Sequence, residues 1–445
     1  MASAAEQLAA NIKLSSFTKS PELMQRIWFT LGALVVVRLG VFIPLPGIDS
    51  AAFEAAFTGQ KQGVLDLYNM FSGGAVQRMA VFALNILPYI SASIIVQLLS
   101  SVVPQLAAIK KDGEAGRKVL NQYTRYLTVV LAVFQAYGIA VGLEGRPGIV
   151  ADPGIQFIVS TIITLTGGTM FLVWLGEQIT ARGVGNGSSL IIFAGIVARL
   201  PQALAQMLQL GAAGSIPTAL LLAIFVLALL VIAFIVFMER AQRRIPITYP
   251  RRQVGNKMYE GQSSFLPLKL NTAGVIPPIF ASSLLLLPTT VANFVQSGAG
   301  ASGWLSFVTA LLGRGGVLYL LLYVGLIVFF AFFYTATVFN PADTADNLRK
   351  QGGFVPGVRP GEKTAQYIDY VLTRITLIGA LYLAIICVLP ELLTSYSSMQ
   401  LYFGGTTLLI VVNVTMDTVA QVYGHLQAQQ YEGLIRKAKL RGKKK

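Results

Sequence analysis

The chain has 445 residues, of which 54% are hydrophobic and only 12% are charged, and its formal net charge is +15. A soluble domain usually carries about a quarter charged residues, so this composition excludes an ordinary soluble protein and indicates a membrane protein with many spans. The lone cysteine, Cys387, excludes an internal disulfide, and the lone histidine, His425, argues against histidine-based metal sites and serine–histidine catalysis.

Ten apolar segments are long enough to cross a bilayer, whose core needs about 20 residues of helix. They are predicted at 27–44, 78–101, 122–142, 155–177, 186–209, 217–238, 273–293, 317–338, 370–390 and 402–423. Alternating polarity of the kind found in membrane β-barrels is absent. The predicted fold is therefore an all-α membrane protein with ten transmembrane helices.

Basic residues indicate which ends of these helices face the cytoplasm. Of the 34 Lys and Arg residues, 28 lie on one side of the predicted bundle: in 1–26, 102–125, 178–185, 239–270, 339–374 and the tail 424–445. The positive-inside rule then places this side, with both ends of the chain, in the cytoplasm.

Two units of five segments, 27–209 and 210–423, follow if the chain is divided after the fifth segment. An odd number of spans per unit forces the second unit to be inverted relative to the first. The second segment of each unit carries proline, at Pro88 and at Pro277 and Pro278, and we expect these prolines to interrupt both helices. Interrupted helices at equivalent places in two inverted halves indicate a central pathway between them.

A short apolar piece at 64–77 lies on the outer side, before the second segment. Its helical spacing at Leu65, Tyr68 and Phe71 ends at Gly73 and Gly74. The piece is too short to span, so it is either an interfacial helix, which composition alone favours, or a re-entrant helix hinged at the glycines. A re-entrant segment survives at membrane depth only where protein or a water-filled cavity surrounds it.

The cytoplasmic loops 239–270 and 339–374 are too long to be simple connections. Residues 245–249 and 263–270 are predicted to pair as a hairpin, and the glycines and prolines of the second loop predict a shaped tip. Their positive charge has two explanations: membrane topology with anionic lipid, or docking of a large acidic partner such as ribosomal RNA. The length and the shaping of the loops favour a partner.

Ionisable residues inside the predicted segments are scarce, and Arg38, Glu177 and Asp417 are expected to snorkel or pair near a membrane surface. The two proline-containing segments hold no carboxylate, which argues against ion-coupled transport of small solutes. The sequence NPA at 340–342 resembles a water-channel motif, but it occurs once and in a loop, which argues against that function.

Isoleucines flank the prolines of both segments, at Ile86, Ile90 and Ile279. Ordinary packing or lipid contact explains most isoleucines of such a chain. If these side chains instead surround a constriction, they would form a gate that excludes water. The spacing does not choose between these alternatives.

Long motifs spread along the chain resemble those of the SecY family, the channel subunits of the bacterial protein translocon. They are FIPLPGID at 42–49, NMFSGG at 69–74, PYISASII at 88–95, WLGEQIT at 174–180, GNG at 185–187, FNP at 339–341, ADNL at 345–348 and YFGGT at 402–406. These motifs occur in the family's order from about residue 20 to the end.

The resemblance implies two inverted five-helix halves that close like a clamshell around an hourglass pore. In the family a ring of apolar side chains forms the waist, and the matching positions here are Ile86, Ile90, Ser188, Ile192, Ile279 and Ile410. Ser188 departs from the pattern, because this position is usually apolar in close relatives. One side of the waist is therefore expected to be smaller and more polar.

The resemblance also identifies 64–77 as a plug, which changes the preferred alternative for this segment to a re-entrant helix. The expected plug residues are Leu65, Tyr68, Met70, Phe71, Gly73 and Gly74. The family's lateral gate lies between two pairs of helices, which match the second and third segments on one side and the seventh and eighth segments on the other. Polar residues on the gate helices are expected to tune its opening: Ser91, Gln97 and Asn271.

The two long loops match the family's docking surface for the ribosome and for the SecA motor. The expected contact residues are Arg243, Arg244, Arg251, Arg252, Lys257, Arg359 and Tyr431. Asn256 replaces one of two adjacent basic residues of close relatives, so one contact is expected to be weaker. SecE and SecG are the expected small membrane subunits, with SecDF, YidC and membrane lipids as further partners.

The expected function is a protein-conducting channel in the bacterial inner membrane, which passes secretory polypeptides and releases transmembrane helices sideways into lipid. Partners supply the driving force, and the chain is expected to be no enzyme and to hold no metal or cofactor. The alternative is a secondary transporter of small solutes, which shares inverted halves and interrupted helices. Such a transporter needs a polar site near mid-membrane, which the sequence does not show.

Overall fold

The computed structural model describes residues 21–58, 69, 71–144, 148–213, 217–249, 252–254, 257–259, 263–285, 316–397 and 405–442. Within these residues the protein is mainly helical, with four short strands in the first of the long loops, 239–270. Each of the ten predicted membrane segments contains a helix. The predicted all-α fold is therefore confirmed.

The helices of the first half are α1 (Pro21–Gly40), α2 (Ser50–Thr58), α3 (Leu87–Val102), α4 (Pro104–Lys111), α5 (Glu114–Glu144), α6 (Ile155–Arg182) and α7 (Gly187–Ala212). The elements of the second half are α8 (Thr218–Arg240), β1 (Gln242–Thr248), β2 (Arg252–Val254), β3 (Lys257–Tyr259), β4 (Ser263–Lys269), α9 (Ile276–Leu285), α10 (Val317–Val338), α11 (Pro341–Lys350), α12 (Glu362–Ser397) and α13 (Gly405–Gly442). In the described part of the chain, eight helices are long and apolar enough to cross a membrane, and α3 with α4 would make a ninth span bent by 99°. The chain is a multi-pass membrane protein.

The two proline sites begin helices and do not interrupt them, so that expectation is wrong. Pro88 lies in the first turn of α3, and residues 72–86 before it form turns where the sequence predicted the start of a span at 78. Pro277 and Pro278 likewise lie in the first turn of α9. Proline is favoured there because the first N–H groups of a helix have no helical partner and the fixed φ of proline suits the helix.

Small residues let neighbouring helices of the first half approach closely. A Cβ atom at Gly187, the first residue of α7, would collide with the carbonyl oxygen of Gly176 in α6. Ala132, Ala136 and Ala140 of α5 are fully buried at a spacing of four residues, in a cluster that includes apolar residues of α6. Lipid gives helices no hydrophobic reason to associate, so close packing of this kind stabilises their contacts.

The last helix of the chain connects the two halves, because α13 packs against α1 and α7. The Gly185 N–H, in the turn between α6 and α7, donates a 2.9 Å hydrogen bond to Gln421 Oε1 of α13. Beside this bond, Leu426 of α13 packs with Leu23 of α1 and with Val184 in a small apolar cluster. The halves are therefore joined where α1 begins and where α6 ends.

The two long loops, 239–270 and 339–374, fold together as one unit. Strands β1 and β4 pair antiparallel, from the Gln242 and Lys269 pair to the Thr248 and Ser263 pair, which confirms the predicted hairpin. Thr248 also forms a β-bridge with Phe354 of the second loop. Apolar side chains of the hairpin and of the second loop share a single core with the start of α12: Ile245, Ile247, Leu268, Leu348, Val355, Ile368 and Ile375.

The sequence NPA at 340–342 is the start of helix α11. Asn340 is its N-cap, and the Asn340 Oδ1 atom accepts a 3.1 Å hydrogen bond from the Ala342 N–H. Pro341 follows at the first helical position, where its missing N–H costs nothing. The motif thus has a local structural role, which agrees with the argument against a water channel.

Replacing Gly187 by alanine is expected to lower the thermal stability of the protein, because the added methyl group forces α6 and α7 apart. Overpacking of this kind typically costs about 1–3 kcal/mol in the free energy of unfolding. Gly325→Ala in α10 is the matched control, since a Cβ there meets nothing within 4 Å. Thermal melting in detergent compares the two variants, and equal melting temperatures would contradict the contact.

Candidate functional site

Buried isoleucines from both halves lie in one apolar cluster. Ile86 and Ile90 come from the start of α3, Ile192 from α7 and Ile410 from α13, and their exposed fractions are 1%, 8%, 3% and 1%. All four belong to the same cluster of buried side chains, and Ile279 of α9 packs against it. The structure therefore brings five of the six predicted ring positions to a single apolar region shared by the two halves.

Asn85 and Pro88 determine where α3 begins, and therefore where Ile86 and Ile90 lie. Asn85 has a φ of +50°, a left-handed conformation that asparagine tolerates better than most residues. Its buried side-chain amide donates a 2.6 Å hydrogen bond to the carbonyl oxygen of Phe71. The helix starts two residues later, with Ile86 as its N-cap and Pro88 in its first turn.

Ser188, the sixth predicted ring position, is only partly buried and lies in the first turn of α7. Its hydroxyl donates a 2.7 Å hydrogen bond to Asn186 Oδ1, and the same oxygen accepts the Ser188 N–H at 3.2 Å. Asn186 is the N-cap of α7. The polar side chain at this position therefore takes part in the helix cap, one turn before Ile192.

The described part of the predicted plug is buried inside the first half. Three of its expected residues lie outside the described residues: Leu65, Tyr68 and Met70. The other three are buried: Phe71, Gly73 and Gly74. Burial of residues 71–76 within protein agrees with a re-entrant segment and not with an interfacial helix.

Side chains from two helices of the first half bind this buried segment. Arg38 Nη1 of α1 donates a 3.0 Å hydrogen bond to the carbonyl oxygen of Gly73. Arg199 Nη2 of α7 donates a 2.6 Å hydrogen bond to Gln77 Oε1. A small cavity next to these contacts is lined by residues that include Arg38, Ser72, Asn85 and Gly195.

Two of the three ionisable residues predicted inside membrane segments form specific contacts in the structure. Arg38 binds the Gly73 carbonyl oxygen, as described above. Glu177 at the end of α6 pairs with Arg125 of α5 and accepts two hydrogen bonds from it, at 2.9 Å and 2.5 Å. Asp417 is exposed on α13. Sequence reasoning missed Arg199, although a lone cation in the apolar segment 186–209 was the available signal.

The three predicted gate residues do not form one group in the structure. Ser91 is buried in α3, and Gln97 donates a 3.1 Å hydrogen bond to Ser93 of the same helix. Asn271 lies before α9, not on it, and its amide donates to Glu239 Oε1 of α8 at 2.6 Å. The expectation that Asn271 is on a gate helix is therefore wrong, because α9 begins only at Ile276.

Glu239, which is partly buried, connects two buried asparagines in a polar network that sequence reasoning did not find. Its Oε1 atom accepts hydrogen bonds from the amide of Asn271, at 2.6 Å, and from the amide of Asn413 in α13, at 3.0 Å. Asn413 lies one turn after Ile410 of the predicted ring. One carboxylate therefore connects the end of α8, the residues before α9 and the helix that carries Ile410.

The predicted docking residues that the structure describes lie on the unit formed by the two long loops and on α13. Arg243, Arg244 and Arg359 are exposed. The guanidinium of Arg244 lies 4.8 Å from the ring centroid of Phe265 on the paired strand. Arg252 is in β2, Lys257 is in β3 and Tyr431 is in α13, whereas Arg251 lies outside the described residues.

Comparison with known proteins identifies the family. A family model described as SecY matches residues 80–419. The chain belongs to the SecY family. Among its SecY relatives, the protein translocase subunit SecY of Escherichia coli is 53% identical over 424 residues, covering 95% of this chain and 96% of the relative. The subunit of Vibrio cholerae is 55% identical over 425 residues, covering 95% and 96%.

Solved channel structures share the fold of this SecY-family chain. A structure described as that of a protein conducting channel has a TM-score of 0.66 at 18% identity, and the match covers 92% of this chain and 96% of that one. Sec61 in a canine ribosome–channel complex from the endoplasmic reticulum has a TM-score of 0.63 at 17% identity, with the same coverage. At these identities the likeness concerns the fold, and it agrees with two inverted halves.

Replacing Glu239 by alanine is expected to destabilise this SecY-family protein, because the amides of Asn271 and Asn413 then lose their acceptor. An unsatisfied buried donor typically costs about 1–3 kcal/mol of the free energy of unfolding. Glu239→Gln is the matched control, since its side-chain carbonyl oxygen keeps an acceptor in place. The melting temperatures of the two variants in detergent test this expectation. Equal melting temperatures for Glu239→Ala and Glu239→Gln would show that the network adds no stability.

Proposed function

We propose that this SecY-family chain conducts unfolded secretory polypeptides through a waist formed by Ile86, Ile90, Ser188, Ile192, Ile279 and Ile410. The observation that carries the proposal is the burial of four of these isoleucines, from α3, α7 and α13, in one apolar cluster shared by both halves. A pathway between two inverted halves has to pass through the region where their buried faces meet.

The waist resists ions because its lining is apolar. A hydrated ion that enters an apolar constriction gives up water and gains no polar partner, which is a large desolvation cost. An extended polypeptide can fill the same ring with its own side chains and keep the passage closed to ions. The plug, residues 64–77, seals the resting channel, and the passing chain replaces it.

Sideways release into lipid requires a gate between α3 and α5 on one side and α9 and α10 on the other. Leu, Ile, Phe and Val favour exit into the bilayer by about 0.3–0.6 kcal/mol each, whereas Asp, Lys and Arg oppose it by about 2.5–3.5 kcal/mol at the helix centre. The channel therefore only gives a segment of the passing chain access to lipid, and the free energy of transfer into the bilayer decides which segments leave the channel. Ser91 and Gln97 on α3 tune the opening, and Asn271 anchors the start of α9 through Glu239.

The driving force comes from partners, and the chain itself catalyses no reaction. The cytoplasmic unit of loops 239–270 and 339–374 docks the ribosome or the SecA motor through Arg243, Arg244, Arg251, Arg252, Lys257 and Arg359, with Tyr431 contributing from the tail. SecE and SecG complete the membrane complex, and SecDF, YidC and membrane lipids assist. The exposed arginines of the unit fit partners that carry phosphate or carboxylate groups.

The proposed location is the bacterial inner membrane, with residues 1–26 and the basic tail 424–445 in the cytoplasm. The two halves extend over 27–209 and 210–423. A secondary transporter of small solutes is not favoured, because the relatives that the chain matches are protein translocase subunits and its fold is that of a protein conducting channel.

A photoreactive residue placed at Ile86 or Ile279 is expected to crosslink to a secretory chain arrested during transport, because the chain passes through the waist. The matched control is Ile385 of α12, which is 59% exposed and lies on an outer face of the bundle. Crosslinked products are measured by gel shift of the labelled secretory chain. Equal yields from Ile385 and the two waist positions would contradict the pathway.

Ile90→Asn and Ile410→Asn are expected to raise the resting ion conductance of the reconstituted channel about tenfold, because each amide holds water in the ring. Ile90→Leu and Ile410→Leu keep the ring apolar and serve as controls. Ser188→Ile is expected to reduce the leak below that of the unchanged protein, while Ser188→Ala separates the loss of the hydroxyl from the gain in bulk. An unchanged leak in both asparagine variants would rule out the ring.

A further inference from the structure

We propose that Arg38, Asn85 and Arg199 latch the plug to the first half, so that plug release is a separate step from the parting of the two halves. We call these three side chains the latch. The inference rests on the proposed function, because it assigns the plug to residues 64–77. It adds the residues that position the plug and the order in which the channel opens.

The first contact of the latch is at the glycine pair of the plug. Gly73 and Gly74 have φ angles of +65° and +97°, the left-handed region that glycine adopts without strain. This turn directs the Gly73 carbonyl oxygen to Arg38 of α1, whose Nη1 atom donates a 3.0 Å hydrogen bond. A carbonyl oxygen is a backbone acceptor, so this contact depends on the shape of the turn and not on a side chain of the plug.

Close packing against α7 fixes the same turn from the other side. A Cβ atom at Gly195 of α7 would lie 2.7 Å from the Phe71 carbonyl oxygen and 3.2 Å from the Gly73 nitrogen. Asn85 donates to that same Phe71 oxygen at 2.6 Å. The plug backbone is therefore held between the surface of α7 and the start of α3.

The last contact lies at the end of the plug. Arg199 of α7 donates a 2.6 Å hydrogen bond to Gln77 Oε1. Gln77 is further ordered by its own N–H, which donates to Asn69 Oδ1 at 3.0 Å, and by its side-chain amide, which donates to Glu54 of α2 at 3.1 Å. Arginine hydrogen bonds are charge-assisted, so this contact is stronger than a neutral one.

All three latch residues belong to the first half, since Arg38 is in α1, Asn85 precedes α3 and Arg199 is in α7. A motion that separates the two halves as rigid bodies therefore leaves these hydrogen bonds intact and moves the plug with the first half. Opening the passage requires a second event that breaks the bonds of Arg38 and Arg199. The resting leak then depends on the latch even when the waist is unchanged.

The test is the resting ion conductance of the complete translocase complex in planar lipid bilayers. Arg38→Gln and Arg199→Gln are each expected to raise it about tenfold, because each removes a charged hydrogen bond to the plug. Arg182→Gln is the matched control: it removes an arginine from the same half, and Arg182 is exposed in the last turn of α6. A rise with Arg182→Gln equal to the other two would overturn the latch in favour of a general charge effect.

Double variants distinguish a latch from simple loss of structure. Gln77→Ala is expected to leak as much as Arg199→Gln, and the double variant no more than either, whereas Arg38→Gln with Arg199→Gln is expected to reach about a hundredfold. Transport of a secretory protein by the unchanged complex in the same membranes is measured in parallel. If that transport is absent, the proposed function fails; if it is present and the arginine variants leak no more than the unchanged protein, only the latch fails.

Discussion

Non-helical backbone inside a membrane-spanning bundle is the constraint on which the rest of this structure depends. Residues 72–86 form turns, and in lipid no water is available for their N–H and C=O groups. The protein supplies these partners: Leu45 N–H donates to the Met79 carbonyl at 3.0 Å, and Val81 N–H donates to the Ile43 carbonyl at 2.9 Å. The residues that follow α1 must therefore lie against residues 72–86. This contact also fixes the position of Ile86, the last residue of that segment.

The same constraint explains why polar side chains lie beside the apolar cluster. Arg38 and Asn85 bind carbonyl oxygens that a regular helix would have satisfied by itself. On the other side of the bundle, Asn271 donates to Glu239 and also to the Gly274 carbonyl oxygen, at 3.0 Å, where the chain turns before α9. Each half thus starts its short helix from an irregular turn whose backbone is bound by buried side chains.

The sequence was sufficient to predict those elements that depend only on residues close together in the chain. Apolar length predicts the long helices, and the pairing predicted for 245–249 and 263–270 is that of β1 with β4. The prediction of interrupted helices was wrong at Pro88 and Pro277. Proline is found both where a helix is broken and in the first turn of a helix, and which of the two applies depends on whether the residues before it are helical. The ring positions came from family resemblance, since spacing does not show which face of a helix meets the other half. Arg199 and Glu239 were missed because their partners are distant in sequence.

Because α13 carries Ile410 and also Gln421, it completes the waist and joins the halves with one helix. It is also the last of these helices to leave the ribosome during synthesis. Until it inserts, α1 and α7 expose to lipid or to other proteins the surfaces that it later covers. A chain cut short before α13 therefore leaves these surfaces of α1 and α7 uncovered and lacks the helix that joins the two halves.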